Sequence, residues 1–290
     1  MSRCIGQSNH QHSRGRLGSL LILFLLVAAS LYSTLNALRS SKTQYQAQLA
    51  GALDSRGADI WRFHQNGTRT LIAHGGGVGP CLYANSQEAV IGALDKGFTF
   101  IELDLLKTRD KHLLAAHDWN TFCTLTGTAT QPATLDEALC LRIAGNQTPL
   151  SGSMINSLMQ QHPEMILVTD KVSDFELLLR EIPHPERMIV EVFSPQDYVR
   201  ALSAGILYPA FCISHSIALQ QALEHRYPLV TISVELFQQH LDTMRQLHQQ
   251  KVCIMVYGTE GLDAATFIRK HAGTSASMIY TSSISPDTLN

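Results

Sequence analysis

Charge is scarce in this 290-residue chain: Asp, Glu, Lys and Arg make up 16% of it, against 45% hydrophobic residues. The first 42 residues hold five Arg or Lys and no acid, which leaves 17 basic and 24 acidic residues beyond them, a net of −7. A domain with that balance has no basic field to hold a polyanion, so no nucleic acid is expected as a partner. An anionic small substrate would need a bound cation to supply local positive charge. No CxxC pair occurs, which excludes the usual zinc-ribbon and thioredoxin-type motifs. There is also no GxGxxG fingerprint, no internal repeat and no low-complexity linker.

What is present begins with one long apolar run. Leu17–Leu38 is uncharged over 22 residues and contains LLILFLLVAA. At about 1.5 Å per residue it spans a hydrocarbon core of roughly 30 Å. Arg3, Arg14 and Arg16 precede it, and Arg39 and Lys42 follow. The expected organisation is a cytoplasmic N-terminus (1–16), a single-pass membrane anchor (17–38), a polar stalk (39–68) and one catalytic domain outside the cytoplasm (69–290). The alternative is a secreted protein whose signal peptide is cleaved near Ala28-Ala29-Ser30 or Asn36-Ala37. Export bears on the six cysteines. Cys212 and Cys253 lie in apolar runs and read as buried core thiols. Cys81 and Cys123 fall in loops expected above one end of the fold, where a disulfide is one option that spacing alone does not decide.

Beyond the stalk, strand-like and helix-like runs alternate. The strand-like runs are Leu71–Gly75, Phe98–Leu105, Met165–Thr169, Met188–Phe193, Pro209–Ile213, Leu229–Ser233, Val252–Tyr257 and Met278–Thr281. Helical patterns separate them, including Asn85–Lys96 with Asn85 as a cap-type residue, Leu150–Gln161 and Glu235–Gln249. Trp119–Leu150 is an irregular insertion with a short helix near Leu135–Leu141. Eight strands, a domain of about 240 residues and no dinucleotide fingerprint predict an α/β fold of the (β/α)8 TIM barrel type.

The chemistry-bearing stretch is Ile101–Asp118, IELDLLKTRDKHLLAAHD. Glu102 and Asp104 are two apart in a strand and so share one face. The polar turn Thr108–Lys111 and the run Leu113–Ala116 form a hairpin that returns His117 toward the acids. Paired carboxylates in an apolar strand need a cation or hydrogen bonds, and hard oxygen donors suit Ca²⁺ or Mg²⁺. In a barrel the site gathers at the C-terminal strand ends. His74 with Gly75, the Glu102–Asp104 pair, Asp170 with Lys171, and Glu191 all fall there. Each also has a plainer role: His74 as a strand-end core residue, Lys171 as a surface lysine, Trp119 as packing for the insertion. Other histidines, such as His240 and His248, read as surface residues of helices.

With IAHGG, NSQEA, IELDLLKTRD and AAHD in hand, the chain resembles the glycerophosphodiester phosphodiesterase family, within the phosphatidylinositol-phospholipase-C-like barrels. The resemblance implies His74 and His117 as the catalytic pair and Glu102 and Asp104 as metal ligands. Asp170 is the candidate third ligand. Asn85, Gly75, Lys171, Glu191 and Trp119 are candidate substrate contacts. The family's Arg after the first His is Gly75 here, its Glu before Asn85 is Ala84, and Ile279-Tyr280-Thr281-Ser282 lacks a following Asp. Its Glu-x-Lys becomes Thr169-Asp170-Lys171, and strict alternation from that match turns Asp170 away from the site. A bulge or strand end would have to re-aim it; otherwise Thr169 or Glu191 completes the metal set.

The implied activity is metal-dependent hydrolysis of glycerophosphodiesters or related (lyso)phospholipid head groups by His/His acid–base catalysis. Two readings stand beside it: a phospholipase-D-like or sphingomyelinase-D-like lipid phosphodiesterase, and a catalytically inactive exported binding or envelope protein.

Overall fold

In the computed structural model, residues 70–77, 85–259 and 263–288 are described, with a few helical residues between 27 and 36. The proposed anchor Leu17–Leu38 falls largely outside the described residues, and the stalk and Cys81 fall wholly outside them. Among the described residues no helix is long and apolar enough to cross a membrane.

Among the described residues there are nine strands: β1 (Thr70–Ala73), β2 (Phe100–Lys107), β3 (Leu113–Ala115), β4 (Ile166–Asp170), β5 (Met188–Val192), β6 (Tyr208–Ile213), β7 (Leu229–Ser233), β8 (Cys253–Tyr257) and β9 (Met278–Thr281). Eight of them run parallel in the order β1-β9-β8-β7-β6-β5-β4-β2, and β1 pairs with β2 to close the ring. The remaining strand, β3, runs antiparallel to β2 as the second arm of the hairpin, with Leu105 opposite Ala115. The expected barrel is therefore present.

The barrel interior is a packed core. Ile72, Phe100, Val168, Ile189, Tyr208, Leu229, Met255 and Met278 point inward and are almost fully buried. Alternation then places the next inward residue of each strand one layer nearer the C-terminal mouth. On β2, β4 and β5 those residues are acidic.

Short polar side chains start the helices. Helix α1 (Gln87–Asp95) is capped by Ser86, whose Oγ accepts from the Ala89 N–H at 3.2 Å. The cap is thus Ser86 rather than Asn85, and this leaves Asn85 for another task. Helix α2 (Trp119–Thr126) occupies a stretch expected to be irregular; Asp118 caps it and Gly127 ends it in the left-handed region at φ 73°. Helix α3 (Leu135–Leu139) carries a capping box between Thr134 and Glu137. The insertion has a small core of its own, Leu114, Ala116, Phe122, Ala133 and Ala138, with Trp119 packed against it.

Helices α4 (Gly152–Gln161), α5 (Phe175–Glu181), α6 (Pro195–Ala204), α7 (Ser216–His225), α8 (Val234–Gln239), α9 (Leu241–Gln249) and α10 (Ala264–His271) complete the wall. The expected single helix Glu235–Gln249 is two helices, broken at His240 (φ −118°, ψ 31°). His248, read as a surface residue, is buried. Cys212 and Cys253 are buried free thiols, each raised to about 12 chiefly by burial. Cys123 also carries a free thiol.

Candidate active site

The acid pair sits where the alternation of β2 places it. Glu102 and Asp104 are only 4% and 5% exposed, so neither is a solvated surface acid. Each is held by the segment just upstream. The chain leaves β1 through a tight turn, His74–Gly76, in which Gly75 (φ 58°) and Gly76 (φ 73°) are left-handed. That turn aims the Gly75 N–H at Glu102 Oε2, 2.7 Å away. A Cβ at Gly76 would stand 2.8 Å from Leu103 Cδ2, so glycine is needed for both space and conformation.

Asn85, at φ 46°, clamps Asp104 from two directions. Its Nδ2 donates to Asp104 Oδ2 at 3.0 Å, and its Oδ1 accepts from the Asp104 backbone N–H at 3.0 Å. Gly75 and Asn85, candidates for substrate contact, are thus seen holding the carboxylates.

The expected outward turn of Asp170 does not occur, and no bulge is required. Register pairs Glu102 with Val168 and Asp104 with Asp170, so Val168 and Asp170 form the inward set of β4 while Thr169 faces the helices. Glu102, Asp104 and Asp170 each bring a carboxylate oxygen within 4.8 Å of the others. The one-residue offset falls instead on Lys171. Next to an inward residue it would point outward, but at φ 63° its side chain returns to the mouth. There Nζ lies 2.5 Å from Asp104 Oδ1 and donates to the His117 carbonyl at 2.8 Å.

Electrostatics follow from this crowding. Burial, with the Asp104 and Asp170 charges added, holds the Glu102 carboxyl well above its ordinary range. Burial and the Glu191 and Asp104 charges push Asp170 up to about 8. Burial also acts on Asp104, but Lys171 and Asn85 outweigh it and keep that carboxyl below its ordinary value. Three carboxylates converge, the Lys171 ammonium pairs directly with Asp104, and Asp170 Oδ1 is buried with no hydrogen-bond partner. Hard oxygen donors with spare lone pairs and excess negative charge fit a divalent cation.

The histidines approach from two sides. His74 Nε2 is 3.9 Å from Glu102 Oε2, and its ring stands edge-on to Tyr280 at 5.5 Å. His117 ends the hairpin with its side chain 57% exposed, open to an incoming ligand. Its Nδ1 lies 2.6 Å from Asp118 Oδ2. Asp118 is held below the usual carboxylate range by the Thr121 N–H, His117 and the Thr121 hydroxyl, so it stays an acceptor. Nδ1 must then carry the hydrogen, which leaves Nε2 of the neutral ring as an acceptor. Asp118 was not among the sequence-derived site residues, although its position beside His117 was visible.

The other candidates divide. Trp119 packs edge-on to Phe122 at 5.8 Å in the insertion core. Glu191 lies in the barrel with both oxygens engaged, by the Tyr280 hydroxyl and by Thr231 Oγ1 at 2.9 Å. Tyr280 and Thr231 were not singled out from sequence. The available signal was a polar group at an inward position of an otherwise apolar strand.

An acidic cluster at the C-terminal mouth of a closed parallel barrel, flanked by two histidines, defines a class of barrel whose mouth carries a candidate metal site. Within that class, the model of the glycerophosphoryl diester phosphodiesterase family matches residues 74–272. The chain belongs to this family and is a phosphodiester hydrolase. Among solved structures it is similar to a glycerophosphoryl diester phosphodiesterase from Parabacteroides distasonis (TM-score 0.62, 16% identity, 79% of this chain and 88% of that one). It is also similar to a phosphodiesterase from Oleispira antarctica solved with the product sn-glycerol-3-phosphate (TM-score 0.62, 12% identity, 77% and 95%). A third is the glycerophosphodiester phosphodiesterase of Thermotoga maritima (TM-score 0.57, 16% identity, 75% and 96%). At these identities the likeness is one of fold. No curated protein matches the chain.

Proposed function

We propose that this protein hydrolyses glycerophosphodiesters with a divalent cation, Ca²⁺ or Mg²⁺, held by Glu102, Asp104 and Asp170. One observation carries the proposal: Asp170 Oδ1 is buried, lacks a hydrogen-bond partner and lies beside two more carboxylates. Burying that much uncompensated charge is costly unless a cation completes the site. When bound, the cation supplies positive charge to a non-bridging oxygen of the phosphodiester.

This chain's own residues do the rest. Gly75 and Asn85 fix the directions of Glu102 and Asp104. Lys171 ties Asp104 to the His117 carbonyl and so sets the hairpin's reach over the cluster. His117, with Nδ1 anchored on Asp118, presents Nε2 to one face of the diester, and His74 stands beside Glu102. One imidazole takes the proton of the attacking water or neighbouring substrate hydroxyl, and the other gives a proton to the leaving alcohol. A water nucleophile yields a phosphomonoester directly; an internal hydroxyl yields a cyclic phosphate first. The product bound to the Oleispira relative, a phosphomonoester of glycerol, supports a substrate of this chemical class.

A lipid substrate is the second reading. Phe193, just beyond β5, and Ile217, in the segment after β6, are 51% and 63% exposed on the mouth side of the barrel. Apolar side chains there suit an acyl chain leaving the site. An anchor at Leu17–Leu38 with the barrel outside the cytoplasm would keep the enzyme at a membrane surface.

The test is phosphorus NMR with glycerophosphocholine, glycerophosphoethanolamine and lysophosphatidylcholine, with and without Ca²⁺ or Mg²⁺. Cation-dependent conversion of the glycerophosphodiesters is expected. Turnover confined to lysophosphatidylcholine would favour the lipid reading. Metal uptake with every diester left intact would favour a binding protein.

A further inference from the structure

Beside the acid cluster, starting on the neighbouring strand β5, the barrel carries a second polar set that the proposed reaction does not use. Glu191 on β5 accepts from the Tyr280 hydroxyl on β9 and from Thr231 Oγ1 on β7. These strands are not adjacent, so the bonds reach across the interior and tie alternate staves together. The Tyr280 ring meets His74 edge-on, with centroids 5.5 Å apart and planes at 78°. Tyr257 on β8 meets Tyr280 edge-on from another side at 6.3 Å. A phenol tethered through its hydroxyl and braced by a second ring cannot swing. The imidazole packed on it therefore rests against a fixed wall.

We infer that Glu191 and Tyr280 are positioning residues that hold the His74 imidazole in line with Glu102. A carboxylate buried among the apolar side chains of a barrel costs more than an aliphatic residue of similar volume. Simple filling would not need it; orienting a phenol does. Thr231 occupies the remaining carboxylate oxygen and keeps Glu191 from rotating away from Tyr280. The inference rests on the proposed function only for the consequence in turnover; the geometry stands apart from it.

The test uses the full chain with saturating Mg²⁺ or Ca²⁺ and glycerophosphocholine. Tyr280→Phe keeps the ring and deletes the tether. Glu191→Leu deletes the acceptor, and Glu191→Gln keeps one. Tyr280→Phe and Glu191→Leu should each lower kcat about tenfold with KM within about twofold, since the loss falls on the oriented state rather than on binding. Both break one bond, so the double variant should be no slower than the slower single. Glu191→Gln should restore most of the rate.

In parallel, the His74 imidazole resonances should broaden in Tyr280→Phe and Glu191→Leu while those of His117 stay unchanged. Wild-type kcat with unchanged His74 resonances in Tyr280→Phe would overturn the inference, as would losses that multiply in the double variant. If Glu191→Leu does not fold, Tyr280→Phe and Glu191→Gln decide it. If the wild type turns over no diester, the proposed function fails, and the resonance comparison alone decides the positioning role.

Discussion

Asp104 and Asp170 stand directly opposite each other as register partners on β2 and β4. Two acids at one level of a parallel pair repel unless protonated or bridged, and burial pushes Asp170 up to about 8. Without metal, the folded state keeps a proton on Asp170 between its ordinary value of 3.8 and about 8, where the unfolded chain has lost it. Stability from this group is therefore full at low pH and lost as pH rises through about 8, with a slope of at most about 1.4 kcal/mol per pH unit. Melting curves of the EDTA-treated protein from pH 4 to 9 should show Asp170→Asn gaining on the wild type as pH rises, and saturating cation should erase the difference. A constant gap between the two proteins would count against the burial of this charge.

Asn85 tests whether the acid pair must be held. Asn85→Gly keeps the left-handed backbone and removes both bonds to Asp104. Cation affinity measured by calorimetry should fall about 10- to 100-fold, the usual effect of losing a group that orients a ligand. Undiminished affinity would mean that β2 alone sets the carboxylate.

His74→Ala and His117→Ala should each lower kcat by about 10²- to 10⁴-fold while circular dichroism stays native. Asp118→Asn separates orientation from charge at His117. Its amide can donate to Nδ1 and stabilise the wrong tautomer, so kcat should drop although the α2 cap persists. Substantial turnover by either alanine variant would remove the acid–base pair.

Lys171 bears on binding and on catalysis in opposite directions. Lys171→Gly retains the φ 63° turn and removes a cation 2.5 Å from Asp104. Cation affinity should hold or rise, because a like charge has left the site, while kcat/KM falls as the His117 hairpin loses its tie. Equal losses of both would show that Lys171 serves the fold and not the site.

At the β1 exit, Gly76→Ala places a methyl 2.8 Å from Leu103 Cδ2 at φ 73°. The expected cost is about 1–3 kcal/mol in chemical denaturation, with activity falling further because the same turn aims Gly75 at Glu102. A change below about 0.5 kcal/mol would show that the turn can relax.

Much of the site was legible because its signals are local. Glu102 and Asp104 declare a shared face through their spacing, and the hairpin between Lys107 and Leu113 returns His117 by chain connectivity alone. Asp170 joins the cluster as the candidate third ligand, but the outward facing expected from strict alternation is wrong, because a match of residue order does not give register. Which face of β4 points inward depends on its pairing with β2, and the extra shift was absorbed at Lys171 by a left-handed backbone no pattern announces. Asn85 looked like a helix cap because Asn and Ser both cap well; Ser86 took the cap, and packing turned Asn85 to Asp104.

The amino-acid order by itself determined the alternating architecture, the acid pair, both histidines and the family, because hydrophobic period and short spacings act over a few residues. Tertiary structure decided how Asp170 joins the cluster, how Lys171 reaches Asp104 and how Glu191, Thr231 and Tyr280 meet. Those contacts join residues 40 to 89 positions apart or depend on strand register, and only closure of the barrel brings them to one level.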